Sequence, residues 1–557
     1  MKKVLCLALA IVCAFASACV FSSEDVSKDV SKDISDVSEE IAVTPAPVYD
    51  IDRIYIETDT DIVLEEYRSC NIRIVDIYEN VYEDAGSEIK VRGNSTSSGE
   101  KKPYNFKLSG KTDILGLGKG KKWCLLANCY EKTLFRNEMV FAFARKTVLA
   151  YTPDSRFVDV YLNDVLLGNY LLCEAVEAGE TRVDIDTDNN EFLLERDVRE
   201  EEGTVYFNSP VLGIRFAVND PEEITQEQLS YLKQFLTKAE NALASRNYAE
   251  IQKYFDIESM VDFYIILEYF KQVDITVGST RFYIKDGKIY GGPVWDFDLT
   301  MGNCLDTYYL DYNNYYGSGL SYESIYCNVD WFYQLNKCEE FKTVRNNRFL
   351  ELQQKIVGLY SETGEGESYI DNVLEAYGSS FERNYTDAGW QIDRVYSTLE
   401  RVPDKTYLEN VEYLRNWLKQ RNGWLIKEWK LSTKAYVIPR SGTGIKLSGI
   451  YFNGLSEGVT PEECEKMFIH DVTVTSPHAF VGTGSTVKNQ GFTYLFVVKG
   501  DVSGNGKVDA NDYNTLLSAS SGSVTLDGAY FLAADINEDG ALTNEDYELL
   551  RQSVWNK

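Results

Sequence analysis

DVSGNGKVDAND, at Asp501–Asp512, and DINEDGALTNED, at Asp535–Asp546, are two twelve-residue runs of one pattern. Side chains that carry oxygen alternate along each run, and a glycine occupies position 6, where the chain must turn sharply. Ca²⁺ takes about six to eight oxygen ligands, which a tight loop of this kind supplies. Each run leads into an apolar helical pattern. The repeat therefore predicts a small all-α module with two calcium sites.

The predicted calcium ligands stand at positions 1, 3, 5, 7, 9 and 12, position 7 acting through its backbone carbonyl. In the first loop they are Asp501, Ser503, Asn505, Lys507, Asp509 and Asp512, and in the second Asp535, Asn537, Asp539, Ala541, Thr543 and Asp546. Position 12 is Asp instead of the Glu of an EF-hand, and an Asp can still bind through both oxygens.

This segment resembles the type I dockerin family over its whole length. The resemblance implies paired F-hand loops that fold with two Ca²⁺ and dock onto a cohesin of a scaffoldin, as in cellulosomes. The family's cohesin contacts at positions 10 and 11 would fall on Ala510-Asn511 and Asn544-Glu545. The two pairs differ from each other, which leaves the cohesin specificity open.

The whole chain is strongly acidic: 557 residues carry 56 Lys and Arg against 87 Asp and Glu, a formal net charge of −31. Such a protein repels nucleic acid, which we therefore exclude as a partner. The two histidines, His470 and His478, stand late in the chain. Everything before them lacks the histidine of a Ser-His-Asp or Cys-His triad and of a His-ligated zinc site. Chemistry there must use carboxylates, Lys, Arg, Tyr or a hard metal ion.

The N-terminal sequence predicts export. Lys2 and Lys3 precede an apolar run, Val4–Val20, which is typical of a secretory signal peptide over residues 1–18. Ala16-Ser17-Ala18 could be an ordinary cleavage site, or part of a lipobox that lipidates Cys19. The following SSEDVSKDVSKDISDVSEE predicts an acidic, disordered tether over 19–48. We expect a secreted protein or, in the second case, one anchored to the cell surface by lipid.

Two further regions separate the tether from the calcium module at 500–557. Residues 49–431 combine a β-rich first half with a helical second half, and predict an α+β domain. A hairpin signal at Asn163-Asp164 and a capping box of Thr225 with Gln228 are examples of each. Residues 432–499 alternate in short stretches punctuated by glycine, and predict a small β module.

Basic and polar residues form the first candidate cluster of the main domain. Arg92-Gly93-Asn94-Ser95-Thr96 is followed by Lys101–Leu108, KKPYNFKL. On a strand, Tyr104, Phe106 and Leu108 share one face and Lys107 takes the other. A fixed Lys or Arg beside a polar loop suits phosphate neutralisation, although an ordinary amphipathic strand has the same spacing.

Acidic residues form the second cluster. GPVWDFD, at Gly292–Asp298, would project Asp296 and Asp298 to the same side if extended, and the amide oxygen of Asn303 follows. Such oxygens suit Mg²⁺ or Mn²⁺, although acidic loop residues without a metal are common. Asp274 stands at the predicted end of a helix before a strand, where a catalytic base could be held.

In this order and spacing these segments resemble the CotH family of spore-coat kinases, from about residue 50 to 425. The segments that carry the resemblance are R-G-N-S-T, K-K-P-Y, Gly116-Leu117-Gly118, Lys121-Lys122-Trp123, Leu126-Ala127-Asn128, Leu134-Phe135-Arg136-Asn137 and Pro293–Asp298. The resemblance implies an atypical protein-kinase-like fold that binds ATP with Mg²⁺ or Mn²⁺ and phosphorylates protein Ser or Thr.

The resemblance also implies roles for single residues. Asp296 would hold the metal with Asp298 beside it, and Asp274 would be the catalytic base. Lys102 or Lys107 would contact phosphate, with Glu174 or Glu195 as its acidic partner. Arg92, Asn94 and Asn303 would complete the nucleotide site.

A non-catalytic role is the alternative, because extracellular ATP is scarce and the chain has no Walker A, H-R-D or D-F-G motif. The domain would then be a structural, carbohydrate-binding or protein-binding component of a complex that degrades plant polysaccharide. Aromatic faces suit sugar rings, and they crowd one stretch: Tyr308, Tyr309, Tyr312, Tyr315, Tyr316, Tyr322, Tyr326, Trp331 and Tyr333. A glycoside hydrolase would need two opposed carboxylates, and no pair is singled out.

Overall fold

The computed structural model describes residues 50–305, 319–363, 366–431, 437, 439–440, 442–448, 450–468, 471–489 and 492–555. Several predictions fall outside these residues: the signal peptide at 1–18, Cys19, the tether at 19–48, His470, and the tyrosines from Tyr308 to Tyr316. Within the described ranges, no helix has the length and apolarity needed to cross a membrane.

A barrel forms the first half of the main domain. Its strands are β1 (Asp52–Glu57), β2 (Arg68–Val75), β3 (Val81–Val91), β4 (Tyr104–Asp113), β5 (Lys119–Leu126), β6 (Ser155–Leu162) and β7 (Val165–Glu174). Their spatial order is β1-β2-β3-β4-β5-β7-β6, and β6 closes the barrel by pairing in parallel with β1. Tyr104, Phe106 and Leu108 fill the interior while Lys107 lies on the other face, as the alternation predicts. Asn163 and Asp164, both at positive φ, make the predicted hairpin turn.

A second sheet lies next to the barrel in the main domain. It consists of β8 (Phe192–Arg196), β9 (Val205–Asn208), β10 (Arg215–Asp220), β11 (Thr280–Lys285) and β12 (Lys288–Gly291). The strand order is β12-β11-β8-β10-β9, with antiparallel neighbours. Phe216 and Phe282 point into a large core that the sheet shares with the helices.

Helices build the rest of the main domain. They are α1 (Arg136–Ala144), α2 (Gln226–Ser245), α3 (Tyr248–Ile251), α4 (Ile257–Phe270), α5 (Asp330–Leu335), α6 (Glu339–Glu351), α7 (Gln353–Val357), α8 (Tyr369–Thr386) and α9 (Tyr407–Glu428), with short 3₁₀ helices at Ser95–Ser98 and Thr187–Asn189. The capping box of Thr225 and Gln228 begins α2, as predicted. All of α4 except Glu258 is buried, so the turn that follows it starts from a rigid support.

The C-terminal region has a small sheet followed by three helices. The sheet contains β13 (Lys446–Ser448), β14 (Tyr451–Asn453), β15 (Thr473–Thr475), β16 (Thr486–Asn489) and β17 (Phe492–Phe496), in the order β13-β14-β17-β16-β15, with α10 (Pro461–Glu465) beside it. The helices are α11 (Ala510–Ser520), α12 (Gly528–Ala534) and α13 (Asn544–Trp555). The predicted α+β class, with an all-α calcium-loop segment at the end, is confirmed.

Candidate active site and calcium loops

A cleft of about 670 Å³ opens between the barrel and the second sheet. The barrel contributes the turn after β3 and the segment after β5. The second sheet contributes the ends of β8, β10 and β11, and the chain after β12 forms the floor. The cleft therefore joins parts of the chain that are about two hundred residues apart, and both halves of the main domain supply its groups.

The floor segment around Asp296 is a turn, not a strand. Asp296 has a φ of +65°, in the left-handed region that a non-glycine residue rarely adopts. The side-by-side arrangement that an extended GPVWDFD would give Asp296 and Asp298 therefore does not apply. Gln272 Nε2 holds the turn by donating to the carbonyl oxygen of Asp296 at 2.8 Å, and Ser279 Oγ donates to its Oδ2 at 3.0 Å. A strained backbone position held from two sides is typical of functional sites.

The aromatic neighbours of Asp296 fix this turn in the core. Phe297 is fully buried, and its N–H donates to Asn137 Oδ1 at 2.7 Å. The Trp295 ring lies 5.3 Å from the guanidinium carbons of both Arg92 and Arg281. Trp295 thus supports two cations, one from the barrel and one from the second sheet, above the turn that carries Asp296.

Four aspartates line the cleft, Asp197, Asp274, Asp296 and Asp298, and the pKa values of two of them are raised. Burial raises the pKa of Asp274 to about 7; Asp296 adds to the rise, and Arg199 opposes it. Burial also raises the pKa of Asp298 well above its usual range, with Asp296, Asp274 and Glu131 adding to the effect. The negative charge that these carboxyl groups carry when ionised is not fully compensated by nearby cations. A hard divalent cation that prefers oxygen ligands would compensate it. The donor set fits Mg²⁺ or Mn²⁺.

Four basic residues line the same cleft as these aspartates: Lys90, Arg92, Arg199 and Arg281. Arg281 Nη2 pairs with Glu195 Oε2 at 3.0 Å, and the other oxygen of Glu195 accepts from the Ser279 N–H at 2.8 Å. The ion pair fixes the guanidinium at the start of β11. Cations that line one cleft together with carboxylates suit the binding of a phosphate chain and its metal ion.

The lysines and acids predicted from sequence take different places. Lys102 Nζ donates to the Ser97 carbonyl at 2.7 Å, which closes the polar loop from outside the cleft. Lys107 lies 3.9 Å from the centre of the Tyr67 ring on the outer face of β4. Neither lysine lines the cleft. The acidic partners also differ from expectation, because Glu174 pairs with Arg182 in a separate cavity and Glu195 with Arg281.

Two predicted amides lie at different depths. Asn94 lines the cleft, next to Arg92. Asn303 is buried behind it, where its Nδ2 donates to the backbone carbonyls of Asp298 at 2.8 Å and Tyr130 at 2.9 Å. Asn303 therefore acts on the backbone of Asp298, and its amide nitrogen, not its oxygen, makes these contacts.

Sequence reasoning missed Lys90, Arg199 and Arg281. Lys90 and Arg92 alternate with the buried Ile89 and Val91, so period-two alternation, continued one residue past the end of β3, could have placed both cations on one side. Arg199 lies in the loop after β8, where the sequence has no alternation of buried and exposed residues. Only the folded chain places its charge near Asp274.

The first calcium loop holds its carboxylates by backbone hydrogen bonds. Asp501 accepts from the N–H groups of Asn505 and Gly506, both at 3.0 Å. Asp512 accepts from those of Ser503 and Asp509, both at 2.7 Å. Positions 1 and 12 of the loop are thereby drawn toward a common centre.

The second loop repeats this pattern position by position. Asp535 accepts from the N–H groups of Asp539 at 3.1 Å and Gly540 at 3.0 Å. Asp546 accepts from those of Asn537 at 3.3 Å and Thr543 at 2.9 Å. Position 7 follows too, since the N–H of Lys507 donates to Asn505 Oδ1 and that of Ala541 to Asp539 Oδ1. The two loops are built alike, as the repeat predicts.

Carboxylates converge most closely in the second loop. Asp535, Asp539 and Asp546 place ligand oxygens within 4.8 Å of one another, and across the described chain no other group of three acidic, Cys or His side chains does so. The first loop has Ser503 and Asn505 at positions 3 and 5, so its oxygens come partly from neutral groups. Both donor sets are hard oxygens that fit Ca²⁺.

The model of the CotH kinase protein family matches residues 89–425, more than half of the chain. The chain belongs to the CotH kinase protein family. The matched region holds every residue of the cleft named above, from Lys90 to Asp298. No curated protein matches the chain.

The type I dockerin domain model matches residues 499–554, which include both calcium loops and most of α13. The chain is therefore a fusion of a CotH domain with a C-terminal type I dockerin. A dockerin indicates calcium binding and docking onto a cohesin in an extracellular, cellulosome-like complex.

Proposed function

We propose that the CotH domain, predicted over 49–431, binds ATP with Mg²⁺ or Mn²⁺ in the cleft and phosphorylates Ser or Thr of a protein. One observation carries the proposal: Asp274, Asp296 and Asp298 share a single cleft with four basic side chains. Phosphoryl transfer needs little beyond alignment, charge neutralisation and a positioned base. A site without histidine can supply all three.

The residues divide between metal and phosphate. Asp296 and Asp298 would hold the divalent ion, which when bound neutralises charge that develops on the phosphates. Arg92 and Arg281, supported by Trp295, would bind phosphate oxygens, with Lys90 beside them. Asn94 would donate its amide hydrogens to the nucleotide, and Asn303 would hold the backbone of Asp298.

Asp274 is the proposed base. The acceptor hydroxyl oxygen bonds to the γ-phosphorus while the bond between that phosphorus and the β,γ-bridging oxygen breaks, so ADP leaves and the hydroxyl proton passes to Asp274. A carboxyl whose pKa is about 7 is suited to accept a proton near neutral pH. A phosphate contact by Lys102 or Lys107 stays a prediction. Lys102 would affect the nucleotide through the polar loop whose Ser97 carbonyl it binds.

The dockerin would attach this activity to a scaffoldin. We propose that both loops bind Ca²⁺ and that Ala510-Asn511 and Asn544-Glu545 contact the cohesin. Export through the signal peptide, with or without lipid on Cys19, would bring the protein to the complex. Since extracellular ATP is scarce, phosphorylation would take place before or during export.

Calorimetry of the full chain with ATP·Mg²⁺ and ATP·Mn²⁺, followed by transfer of labelled γ-phosphate to protein, tests the kinase proposal. We expect binding in wild type and its loss in Asp296→Ala. Asp188→Ala is the matched control, because Asp188 is exposed outside the cleft and should leave binding unchanged. Absence of nucleotide binding in wild type would overturn the proposal and favour a non-catalytic role, with plant cell-wall polysaccharide as the ligand to examine next.

A further inference from the structure

We propose that the two calcium sites are not equivalent: the β module completes the first, so that Ca²⁺ there locks the β module to the dockerin, while the second site exchanges its ion on its own. The inference rests on the calcium binding proposed above. It concerns residues 437–555, where the β module runs directly into the first loop.

A strap of the β module, residues 480–485, reaches the first ligand of the first loop. The Thr483 N–H donates to Asp501 Oδ2 at 2.8 Å, the same oxygen that accepts from Gly506. Gly482 lies so close that a Cβ there would be 2.5 Å from this oxygen and 2.4 Å from the Gly504 carbonyl oxygen. Only glycine fits at position 482 with the loop in this conformation.

Three further contacts join the β module to the same loop. Glu457 Oε2 accepts from the Val508 N–H at 2.7 Å, and the Gly458 N–H donates to the Gly506 carbonyl at 2.8 Å. Phe480 packs on Gly506, where a Cβ would meet the Phe480 Cβ at 2.6 Å. The first loop is thus held at positions 1, 4, 6 and 8 by residues that precede it in the chain.

Among the residues that the structure describes, no strap of the β module covers the second loop in this way. Gly540, the counterpart of Gly506, is exposed, and a Cβ placed there would meet nothing within 4 Å. Asp539 is exposed as well. Lys499 reaches this loop through the backbone carbonyl of Asp535, at 2.6 Å, and through Glu538, which is not a predicted ligand.

This asymmetry has consequences for calcium binding. Asp501 is fully buried, and a buried carboxylate needs a partner of opposite charge. The strap fixes Asp501 before the ion arrives, which lowers the ordering cost of binding at the first site. Reciprocally, an ion that binds only the ordered loop stabilises every contact that the ordered loop makes with the β module.

Calcium titration of the full chain by calorimetry, after removal of bound metal and without Mg²⁺, is the first test. We expect two sites in wild type, and in Gly482→Ala a dissociation constant raised by about tenfold or more at one site while the other stays within about twofold. Thr475→Ala, an exposed position on β15, is the control that should change neither. Two sites that Gly482→Ala leaves unchanged, or shifts equally, overturn the inference alone. No calcium binding in wild type overturns the docking function together with it.

Hydrogen exchange of the full chain with Ca²⁺ is the second test, and it does not depend on how Gly482→Ala folds. Asp501→Ala and Asp535→Ala change equivalent positions of the two loops. We expect Asp501→Ala to speed exchange over β15–β17 by about tenfold and Asp535→Ala to leave it unchanged. Unchanged exchange in residues 50–425 checks that both variants keep the main domain folded. Equal effects of the two variants on the β module, or none, overturn the inference.

Discussion

The calcium loops and the cleft both gather carboxylates, but the loops take them from twelve consecutive residues and the cleft takes them from separate turns and sheets. In the loops, backbone N–H groups of the same loop orient Asp501, Asp512, Asp535 and Asp546. In the cleft, Asp296 is held by Gln272 and Ser279, which belong to other parts of the chain. The calcium sites are formed by residues that are neighbours in the sequence, whereas the cleft is formed by residues that only the fold brings together.

A change that disrupts the calcium loops should therefore leave the cleft intact, and a change in the cleft should leave the calcium loops intact. We expect the calcium loops to depend on their ions for folding, because the hydrophobic core around them is small. The cleft is supported by the barrel and by the buried helix α4, whose cores contain no calcium-loop residue.

Asp274→Asn should give the largest effect, because it removes the proposed base and keeps the shape of the side chain. We expect the rate of phosphate transfer to fall by about 10²–10⁴-fold with ATP·Mg²⁺ affinity nearly unchanged. Single-turnover transfer and calorimetry measure the two quantities. Glu202→Gln, at the exposed rim of the cleft, is the control. A rate equal to wild type would remove Asp274 from the mechanism.

Chelation of Ca²⁺ by EGTA should come next, and it should affect only the C-terminal region. We expect amide exchange in α11 and α13 to speed up by about a hundredfold. The backbone hydrogen bonds that orient the loop carboxylates are stabilised by the bound ion, so the loops and the helices that follow them should open more often without it. Exchange in α4 and β11 should stay constant. Protection of α11 and α13 that persists in EGTA would contradict a calcium-dependent fold.

Arg281→Met should weaken nucleotide binding more modestly. We expect ATP·Mg²⁺ affinity to fall by about tenfold, because one of several cations is lost and Glu195 loses its partner. Arg215→Met, in strand β10 of the same sheet and outside the cleft, is the matched control. Calcium affinity should be the same in both variants. Equal nucleotide affinity in wild type and Arg281→Met would exclude a phosphate contact.

The smallest effect should be on pH stability. The folded protein holds the Asp274 proton more tightly than the unfolded chain, since the pKa rises from 3.8 to about 7. The unfolded state thus binds fewer protons between about pH 4 and 7, and stability falls as pH rises through this window.

Asp274→Asn cannot ionise, so its melting temperature should drop less than that of wild type between pH 5 and 8, by roughly 2–4 °C. The measurement is tryptophan fluorescence without Mg²⁺ and with Ca²⁺ held constant. Seven of the eight tryptophans precede residue 430, so the signal reports the main domain. Parallel curves for the two proteins would mean that Asp274 keeps an ordinary pKa.

The sequence by itself determined the features whose residues are neighbours in the chain. The calcium loops, the hairpin at Asn163-Asp164 and the capping box of Thr225 with Gln228 were all predicted with their residues. Each depends on backbone geometry over a few residues, which composition and spacing describe well. The family resemblance added the order of the cleft segments, and with it Asp274, Asp296 and Asp298.

Only the tertiary structure decided which groups meet. The tertiary structure pairs Arg281 with Glu195. It also places Lys90 in the lining of the cleft, where the sequence had suggested Lys102 or Lys107. It turned Asp296 into a left-handed conformation, because hydrogen bonds from distant residues outweigh the local preference for an extended strand. It also distinguished two calcium loops that are alike in pattern, since burial by the β module is a property of packing that a twelve-residue motif does not contain.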